Sequence, residues 1–469
     1  MNELAAWDAV ETARRIRSRD VSLREVIDAA IARAEAASSL GAVVTDSFES
    51  ARRATPTGPL AGVPTFIKDL VQVAGVRTTW GSRATGEYVS LRTDPSLERL
   101  FATGLVSLGK SATPEFGLTA TTEALRGPPC RNPWDPSRSV GGSSGGAASL
   151  VAAGVVPIAH ASDGGGSIRI PAACNGLVGL KPTRRRFDMD ASHLLPVNVA
   201  VQGVVTRSVR DTIAFFDALE QRRGSIPPIG DVPPKSPRPL RIGVFVDSAI
   251  GTPVDADHRA ATTRAGKLCE SLGHRVEAIA CPFEAQVLRD FLRFWGSLGF
   301  VYLYGGKLFT HRGFDRALLE PWTRDISRYF TSELGSSLRA TRRLRRFTRT
   351  YAEVMQRYDV LVCPTTGTPP PRLGHLAPDV PFEVAFDRLL EFVPFTPFAN
   401  AAGAPAISLP LGRGATGLPI GVQLSAAMGA ERVLLALSLE LEAAAPWNAI
   451  APTDRWQSTL APPRDSRER

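Results

Sequence analysis

The sequence predicts an α/β fold whose central β-sheet is covered by helices on both faces. Segments with helical periodicity alternate along the chain with short apolar runs bounded by glycine or proline. These runs are continuously apolar, a pattern typical of strands that are buried on both faces. The 469 residues are 43% hydrophobic and 22% charged, a composition that allows a large buried core.

The first long helix is predicted to begin at Ser22. Ser22 and Glu25 form a capping box, and the apolar residues within 26–31 recur at helical spacing. A short apolar strand follows at Thr65–Ile67 and ends at Lys68. This placement brings a lysine to the end of a buried strand.

The remaining elements follow in the same alternating order. A helix that stops at Gly104 precedes the strand "LVSLGK", and a small-residue helix and a strand share "GGAASLVAAGVVPIAH". Later strands are predicted in "LRIGVFV", "YDVLVCPTT", "PAISLPLG" and "GVQLSAA". Further helices are predicted in "HRAATTRAGKLCESLG", across most of 285–357, and in "AERVLLALSLELEAA".

We expect these elements to form one domain over residues 1–469. Within it we distinguish an N-terminal helical segment (1–60), a core (61–223), a proline-rich crossover (224–239), a C-terminal part with the pocket helices (240–460) and a loose tail (461–469). The crossover is dense in proline but need not separate two domains.

The net charge of +9 raises the question of an acidic partner such as nucleic acid. The basic residues are scattered, however, and the densest cluster, Arg342–Arg349, is typical of a solvated helix face. No basic motif interleaved with aromatic residues is found. We therefore expect no nucleic-acid partner.

The five cysteines are widely spaced and lack a C-x-x-C pair, which favours a reducing compartment over a disulfide framework or a metal site. The N-terminal residues are mixed polar and charged, unlike a signal peptide. The longest apolar stretch, 147–161, is too short to cross a bilayer. We expect a cytoplasmic protein without a membrane, metal or cofactor partner.

Two glycine-serine clusters are the strongest functional signal. They are "SVGGSSGGAASL" (139–150) and "SDGGGSIRI" (162–170), and an apolar strand lies between them. A flexible linker would not alternate with core strands. A phosphate cradle before a helix would require a Walker lysine or G-x-G-x-x-G spacing, and both are missing. The third interpretation is an oxyanion hole, with the N–H groups of Gly164, Gly165, Gly166 and Ser167 around a developing negative oxygen.

A serine nucleophile at 167 needs a base. His160 is closest in sequence, but it ends an apolar strand and is predicted to be a packed core histidine. Lys68 is the alternative, because an amine at the end of an apolar strand can be desolvated and thereby neutral. Lys68 taken alone could equally form an ion pair with Asp69.

Five blocks of the sequence resemble the amidase signature family. They are "GPLAGVPTFIKDL", "GKSATPEFG", the long block from "RNPWDPSRSVGGSSGG" to "GLKPT", "QGVVTRSVRDT" and "PFANAAGAPAISLPLG…GLPIGVQL". The resemblance extends over nearly the whole chain. It implies a single large amidase-signature domain built on a mixed, twisted β-sheet.

The family uses a triad of two serines and a lysine. Matched by motif, the resemblance implies Lys68 as the base, Ser143 as the bridging serine after a cis peptide bond with Gly142, and Ser167 as the nucleophile that carries the acyl group.

The resemblance also implies supporting positions around this triad. Ser144, Asp163 and Arg169 match residues that hold the loop, and Gly117 matches a backbone position that lines the substrate channel. The family commonly has a side chain where this sequence has Gly164, so we expect a more flexible loop here.

Three functions are compared. The resemblance implies an amidase that hydrolyses a small, non-peptide carboxylic amide, and the aromatic residues of 285–357 are similar to those of aryl and oligoamide amidases, including cyclic nylon-oligomer hydrolases. The alternative is the glutaminase-type A subunit of a tRNA-dependent amidotransferase, which shares the core motifs. A non-catalytic binding protein is disfavoured by the intact triad. These expectations allow a homodimer.

Overall fold

The computed structural model describes residues 2–189, 195–220 and 226–457. The tail predicted at 461–469 and the first two residues of the crossover lie outside the described residues. No helix among the described residues has both the length and the apolar character needed to cross a membrane.

The strands of the described chain are short and mostly buried. In chain order they are β1 (Val43–Asp46), β2 (Pro64–Lys68), β3 (Val106–Ser111), β4 (Arg131–Asn132), β5 (Asp135–Ser139), β6 (Ile158–Asp163), β7 (Val178–Lys181), β8 (Val201–Thr206), β9 (Arg241–Val244), β10 (Arg275–Ala278), β11 (Val360–Pro364), β12 (Ala406–Arg413) and β13 (Pro419–Ser425).

The helices range from one turn to seven. In chain order they are α1 (Asn2–Ala6), α2 (Ala9–Ser18), α3 (Leu23–Ala36), α4 (Phe48–Arg52), α5 (Pro95–Phe101), α6 (Gly145–Ala152), α7 (Arg169–Asn175), α8 (Val209–Glu220), α9 (Ala256–Ser271), α10 (Ala285–Phe309), α11 (Pro321–Ser332), α12 (Leu334–Val354), α13 (Phe382–Phe392), α14 (Pro397–Ala402), α15 (Glu431–Ala444) and α16 (Asp454–Gln457).

The main sheet has eight strands in the order β10-β9-β11-β13-β12-β7-β8-β6. β10, β9 and β11 run parallel, whereas every later pairing toward β6 is antiparallel. The expected mixed sheet is therefore confirmed. Its order brings β6, which leads into the "SDGGGSIRI" loop, to one edge.

A second sheet of three strands, in the order β1-β3-β2, lies beside that edge. β2 pairs in parallel with β3 and packs alongside β6. This neighbour relationship brings Lys68, the last residue of β2, next to the loop that follows β6.

Helices cover both faces of the main sheet, as predicted. The alternation along β11 shows this directly: Val360 and Val362 pack into a core with residues of α8, α9 and α15, whereas Leu361 and Cys363 pack into a core with residues of α10, α12 and α14. A strand with apolar side chains on both faces has to be buried on both faces, which explains the continuous apolar runs.

The local predictions from the N-terminal half are confirmed. Ser22 caps α3 in a capping box with Glu25, and the predicted strand at Thr65–Ile67 is β2, extended by one residue at each end. Residues 285–357 are mainly helical, forming α10, α11 and α12, and the arginines of 342–349 are exposed on α12.

Candidate active site

Lys68 is fully buried, and its amine contacts only serine oxygens. Nζ lies 2.8 Å from Ser143 Oγ, 3.0 Å from Ser162 Oγ and 3.5 Å from the Ser162 carbonyl oxygen. Burial lowers the pKa of Lys68 to about 7, and Asp163 opposes this shift. A neutral amine has two N–H donors and one lone pair, so it can donate to both Ser162 oxygens and accept the Ser143 proton.

The ion pair of Lys68 with Asp69, which the sequence left open, does not form. Asp69 instead pairs with Lys110, at 3.4 Å, and accepts a hydrogen bond of 3.0 Å from the Thr79 N–H. The chain direction at the end of β2 sends the two neighbouring side chains to opposite sides. Lys68 is therefore left without a carboxylate partner.

The loop that carries Ser143 packs tightly against the segment at 121–122. The Gly142–Ser143 peptide bond is cis, as expected. A Cβ on Gly142 would lie 2.6 Å from the Thr121 carbonyl oxygen, and one on Gly145 would lie 2.2 Å from Thr122 Oγ1. The glycines thus allow close backbone approach, and protein atoms occupy the space that a phosphate cradle would need.

Ser144 joins the two glycine-serine clusters. Its hydroxyl donates to the Ser162 carbonyl oxygen at 3.1 Å and accepts from the Ser162 N–H at 3.2 Å. Its own N–H donates to the Ser167 carbonyl oxygen at 3.3 Å. These bonds fix the bridging serine's loop and the nucleophile's loop relative to each other.

A buried ion pair organises the "SDGGGSIRI" loop. Arg169 donates to both carboxylate oxygens of Asp163, from Nε at 2.9 Å and from Nη2 at 3.0 Å, and neither side chain is exposed. The guanidinium holds the pKa of Asp163 well below its usual range against the opposing effect of burial. The carboxylate also accepts from the N–H groups of Gly166 and Ile168.

Three further supporting residues come from the C-terminal half and were missed from the sequence. Asn400 donates to Asp163 at 2.8 Å, Gln423 accepts from Arg169 at 2.6 Å, and Thr396 Oγ1 donates to the Gly165 carbonyl oxygen at 2.7 Å. Thr396 lies just before "PFANAAGAP" and the other two lie within quoted blocks, so that resemblance was the signal that could have found them.

Gly166 differs from the prediction that it offers its N–H to an oxyanion. That N–H donates to Asp163 Oδ1 at 2.7 Å and is therefore occupied. Among the described residues, no protein acceptor is recorded for the N–H groups of Gly164, Gly165 and Ser167. Gly164 and Gly165 are also partly exposed, so their backbone is accessible to a ligand.

The Ser167 hydroxyl lies in the wall of a cleft. Within the described part of the chain it has no recorded hydrogen-bond partner, including Ser143. Catalytic hydrogen bonds often tighten only when substrate is bound, so this geometry is compatible with a proton relay from Ser167 to Ser143.

Gly117 approaches the bridging serine closely. Its φ is +69°, and a Cβ there would lie 2.8 Å from Leu70 Cδ1 and 3.0 Å from Ser143 Oγ. The residues that follow it, Leu118 to Ala120, line the cleft. Glycine is needed at 117 both for the left-handed backbone and for the space beside Ser143.

The cleft itself is apolar. It has a volume of about 540 Å³, including space open to solvent, and Ser167 and Gly165 form part of its wall. Its aromatic wall is formed by Phe291 and Trp295 of α10. Among its described lining residues, Thr119 and Ser167 supply the polar side chains and none is charged; the others are Leu118, Ala120, Ile170, Leu288, Leu292, Leu389, Leu390, Val393 and Pro397.

His160 is a buried histidine, as predicted, but it also touches the base. Its Nδ1 lies 3.2 Å from the Lys68 main-chain N–H, and its Nε2 lies 2.8 Å from Gln202 Oε1. Burial lowers the pKa of His160 to about 3, so the ring is neutral. The described residues contain no group of three or more His, Cys, Asp or Glu that could hold a metal ion.

Comparison with known proteins gives the same picture over almost the full length. The family model described as "Amidase" matches residues 23–435. "Putative amidase AmiC" of Mycobacterium leprae is 44% identical over 456 residues, covering 95% of this chain and 97% of that protein. The 6-aminohexanoate-cyclic-dimer hydrolase of Paenarthrobacter ureafaciens is 34% identical over 489 residues, covering 96% and 98%.

The fold matches solved structures equally well. The structure of 6-aminohexanoate cyclic dimer hydrolase complexed with substrate superposes with a TM-score of 0.87 at 32% identity, covering 96% of this chain and 99% of that one. The glutaminase-type component of the glutamyl-tRNA(Gln) amidotransferase of Deinococcus deserti is more distant, at 31% identity over 93% of this chain and 96% of that protein.

The chain belongs to the amidase signature family. It is a hydrolase that acts on carbon–nitrogen bonds of amides other than peptide bonds.

Proposed function

We propose that the protein hydrolyses a small, uncharged carboxylic amide through a covalent acyl-enzyme on Ser167. The observation that carries the proposal is the contact of 2.8 Å between Lys68 Nζ and Ser143 Oγ, in a buried site where the amine has no carboxylate partner. This environment favours the neutral amine that a general base requires.

The relay proceeds in two proton transfers. Lys68 takes the proton of the Ser143 hydroxyl, and Ser143 takes the proton of Ser167 as Oγ of Ser167 attacks the amide carbonyl carbon. The tetrahedral intermediate then collapses, the C–N bond breaks, and the same relay returns the proton to the leaving nitrogen. Water, deprotonated through Ser143 and Lys68, attacks the ester carbon and releases the carboxylate and Ser167.

The negative oxygen of the intermediate is proposed to accept from N–H groups of Gly164, Gly165 and Ser167. Their lack of recorded protein acceptors supports this choice, and the occupied N–H of Gly166 removes it from the predicted set. A preorganised donor of this kind contributes about 3 kcal/mol to transition-state stabilisation. Asp163, Arg169 and Ser144 act by fixing the loop on which these donors lie.

The cleft supports an uncharged aryl, aliphatic or oligoamide substrate. A glutamine substrate carries an ammonium and a carboxylate group, which need charged or strongly polar partners once they are desolvated. The described lining residues of the cleft include no charged side chain, which favours the stand-alone amidase over the glutaminase-type alternative. The 6-aminohexanoate-cyclic-dimer hydrolase relatives make a linear or cyclic oligoamide a suitable member of the first test panel.

The cytoplasm is proposed as the compartment because all five cysteines are free, four of them buried. A homodimer remains part of the proposal, and its test is the molar mass of the purified protein in solution.

The proposal is tested with purified protein and a panel of anilides, aliphatic amides, oligoamides and glutamine, beside Ser167→Ala. We expect turnover of uncharged amides that Ser167→Ala abolishes, and a mass increase on Ser167 equal to the acyl group after rapid quenching. Glutamine hydrolysis that requires the other amidotransferase components would instead support the alternative. Equal turnover by Ser167→Ala would overturn the acyl-enzyme on this residue.

A further inference from the structure

The two rings that form one wall of the cleft lie directly on the oxyanion loop. A Cβ on Gly164 would be 2.9 Å from Trp295 Cη2 and 3.0 Å from its Cζ3. A Cβ on Gly165 would be 3.2 Å from Phe291 Cε1. The two rings are one helical turn apart on α10 and stack on each other, with centroids 5.7 Å apart and planes inclined by 20°.

The glycines are not required here by their backbone conformation. Gly164 and Gly165 have φ values that other residues adopt freely, in contrast to Gly166 at +134°. The absence of side chains at 164 and 165 therefore serves the space above the loop. That space is filled by the indole and the phenyl ring.

Trp295 is also held from a second side. Its Nε1 donates to the Leu118 carbonyl oxygen at 3.1 Å, on the segment that forms another part of the cleft wall. The indole thus spans the cleft between Leu118 and Gly164, beside Ser167. A ring fixed at both ends sets the width of the cleft next to the nucleophile.

We propose that Gly164 and Trp295 form a coupled specificity pair that selects apolar acyl groups able to lie flat against the indole, aryl or unbranched aliphatic in class. This proposal rests on the proposed acyl-enzyme at Ser167. A side chain at 164 displaces the indole, and the acyl group loses its aromatic wall. The glycine that departs from the common family pattern is explained by the ring that replaces its side chain.

The pair predicts a specific pattern of coupling. The Trp295 atoms nearest to position 164, Cη2 and Cζ3, belong to the outer six-membered ring, and phenylalanine does not extend as far from the helix. Gly164→Ala should therefore be harmful when Trp295 is present and nearly neutral when Trp295→Phe accompanies it. Non-additivity of this kind marks two side chains that compete for one space.

The experiment measures kcat/KM on p-nitroanilides of acetic, hexanoic, benzoic and succinic acid, so that only the acyl group changes. The wild type should prefer the hexanoyl and benzoyl substrates to the acetyl substrate and reject the charged succinyl one. Gly164→Ala should lower the benzoyl-to-acetyl ratio by about tenfold, the size expected for one methylene in an apolar pocket. In the Trp295→Phe background the same change should leave the ratio within about twofold.

Trp322→Phe is the matched control. Its Nε1 also donates to the Leu118 carbonyl oxygen, at 3.2 Å, but its ring does not line this cleft. Losing that hydrogen bond should leave the acyl ratio unchanged. A melting temperature for each variant identifies any that misfold, and Trp295→Phe with the double variant still tests the coupling if Gly164→Ala does not fold.

The outcomes separate this inference from the proposed function. An active wild type and an inactive Ser167→Ala, combined with additive effects or an unchanged ratio, would overturn the specificity pair alone. A wild type that cleaves no anilide and no other amide of the panel would overturn the proposed function. A Gly164→Ala variant that slows all acyl substrates equally would assign the glycine to the oxyanion loop instead.

Discussion

The main-chain N–H of Lys68 donates to Nδ1 of His160 at 3.2 Å. Since Nδ1 accepts, the ring proton is on Nε2, which donates to Gln202 Oε1, and the Gln202 amide in turn donates to the Asp188 carbonyl oxygen. β2 and β6 pack side by side without sharing a backbone ladder, so this side chain supplies a hydrogen bond between them. His160 thus links the base to the main sheet.

Replacement of His160 tests this link. His160→Leu leaves the Lys68 N–H buried without an acceptor, which costs about 1–3 kcal/mol, and we expect lower kcat together with a lower melting temperature. His160→Asn places Oδ1 near the former Nδ1 and should recover part of both. Equal kcat in the two variants would show that the acceptor does not position the base.

The pH dependence should report the buried amine. Lys68 acts as a base only when neutral, and its pKa in the fold is about 7, so kcat/KM should rise as pH increases through that value and fall below it. The measurement is kcat/KM between about pH 5 and about pH 9 on an amide that does not itself ionise. A profile that is level across this range would contradict a lysine with this pKa as the base.

Two buried lysines should respond to the same substitution in opposite ways. Lys68 has a pKa below the ordinary lysine value of 10.5, so the unfolded chain binds more protons and burial of this amine reduces stability below that pH. Lys68→Met should therefore abolish turnover while keeping or raising the melting temperature.

Lys110→Met is the control for that pair. It leaves the carboxylate of Asp69 buried without its partner, which should lower the free energy of unfolding by about 3–5 kcal/mol. Thermal unfolding at neutral pH compares the two variants. A Lys68→Met protein that is destabilised as much as Lys110→Met would show that Lys68 is charged and paired in the fold.

Gly117 and Gly75 offer a matched pair of glycines. Their φ values are +69° and +74°, so an alanine at either position costs about 1–2 kcal/mol of backbone strain. At Gly75 nothing lies within 4 Å of the added Cβ, whereas at Gly117 it meets Leu70 and the Ser143 hydroxyl. Gly117→Ala should lower kcat by more than about tenfold, and Gly75→Ala should leave kcat unchanged. Similar kcat values would exclude a role for this close approach.

The nature of the site could be predicted from the sequence because its elements are local. The Gly-Ser clusters, a lysine at the end of an apolar strand and the family motifs all appear within short segments. The capping box of α3 and the exposed arginines of α12 were also predictable, since capping and amphipathic periodicity depend on residues within a few positions.

The partners of that site could not be predicted in the same way. The choice of Asp69 between Lys68 and Lys110 depends on the pairing of β2 with β3, and the support from Asn400 and Gln423 depends on segments more than 200 residues from Asp163 and Arg169. No local pattern encodes which residues meet across such separations.

By itself, the sequence determined the α/β class, the family motifs and the residues proposed as nucleophile, bridge and base. Only the tertiary structure decided that Gly166 donates its N–H to Asp163, that His160 bonds to Lys68, and that Trp295 takes the place of a side chain at Gly164. The physical reason is that secondary structure and motif chemistry arise from neighbouring residues, whereas desolvation, hydrogen-bond partners and cleft shape arise from packing between distant ones.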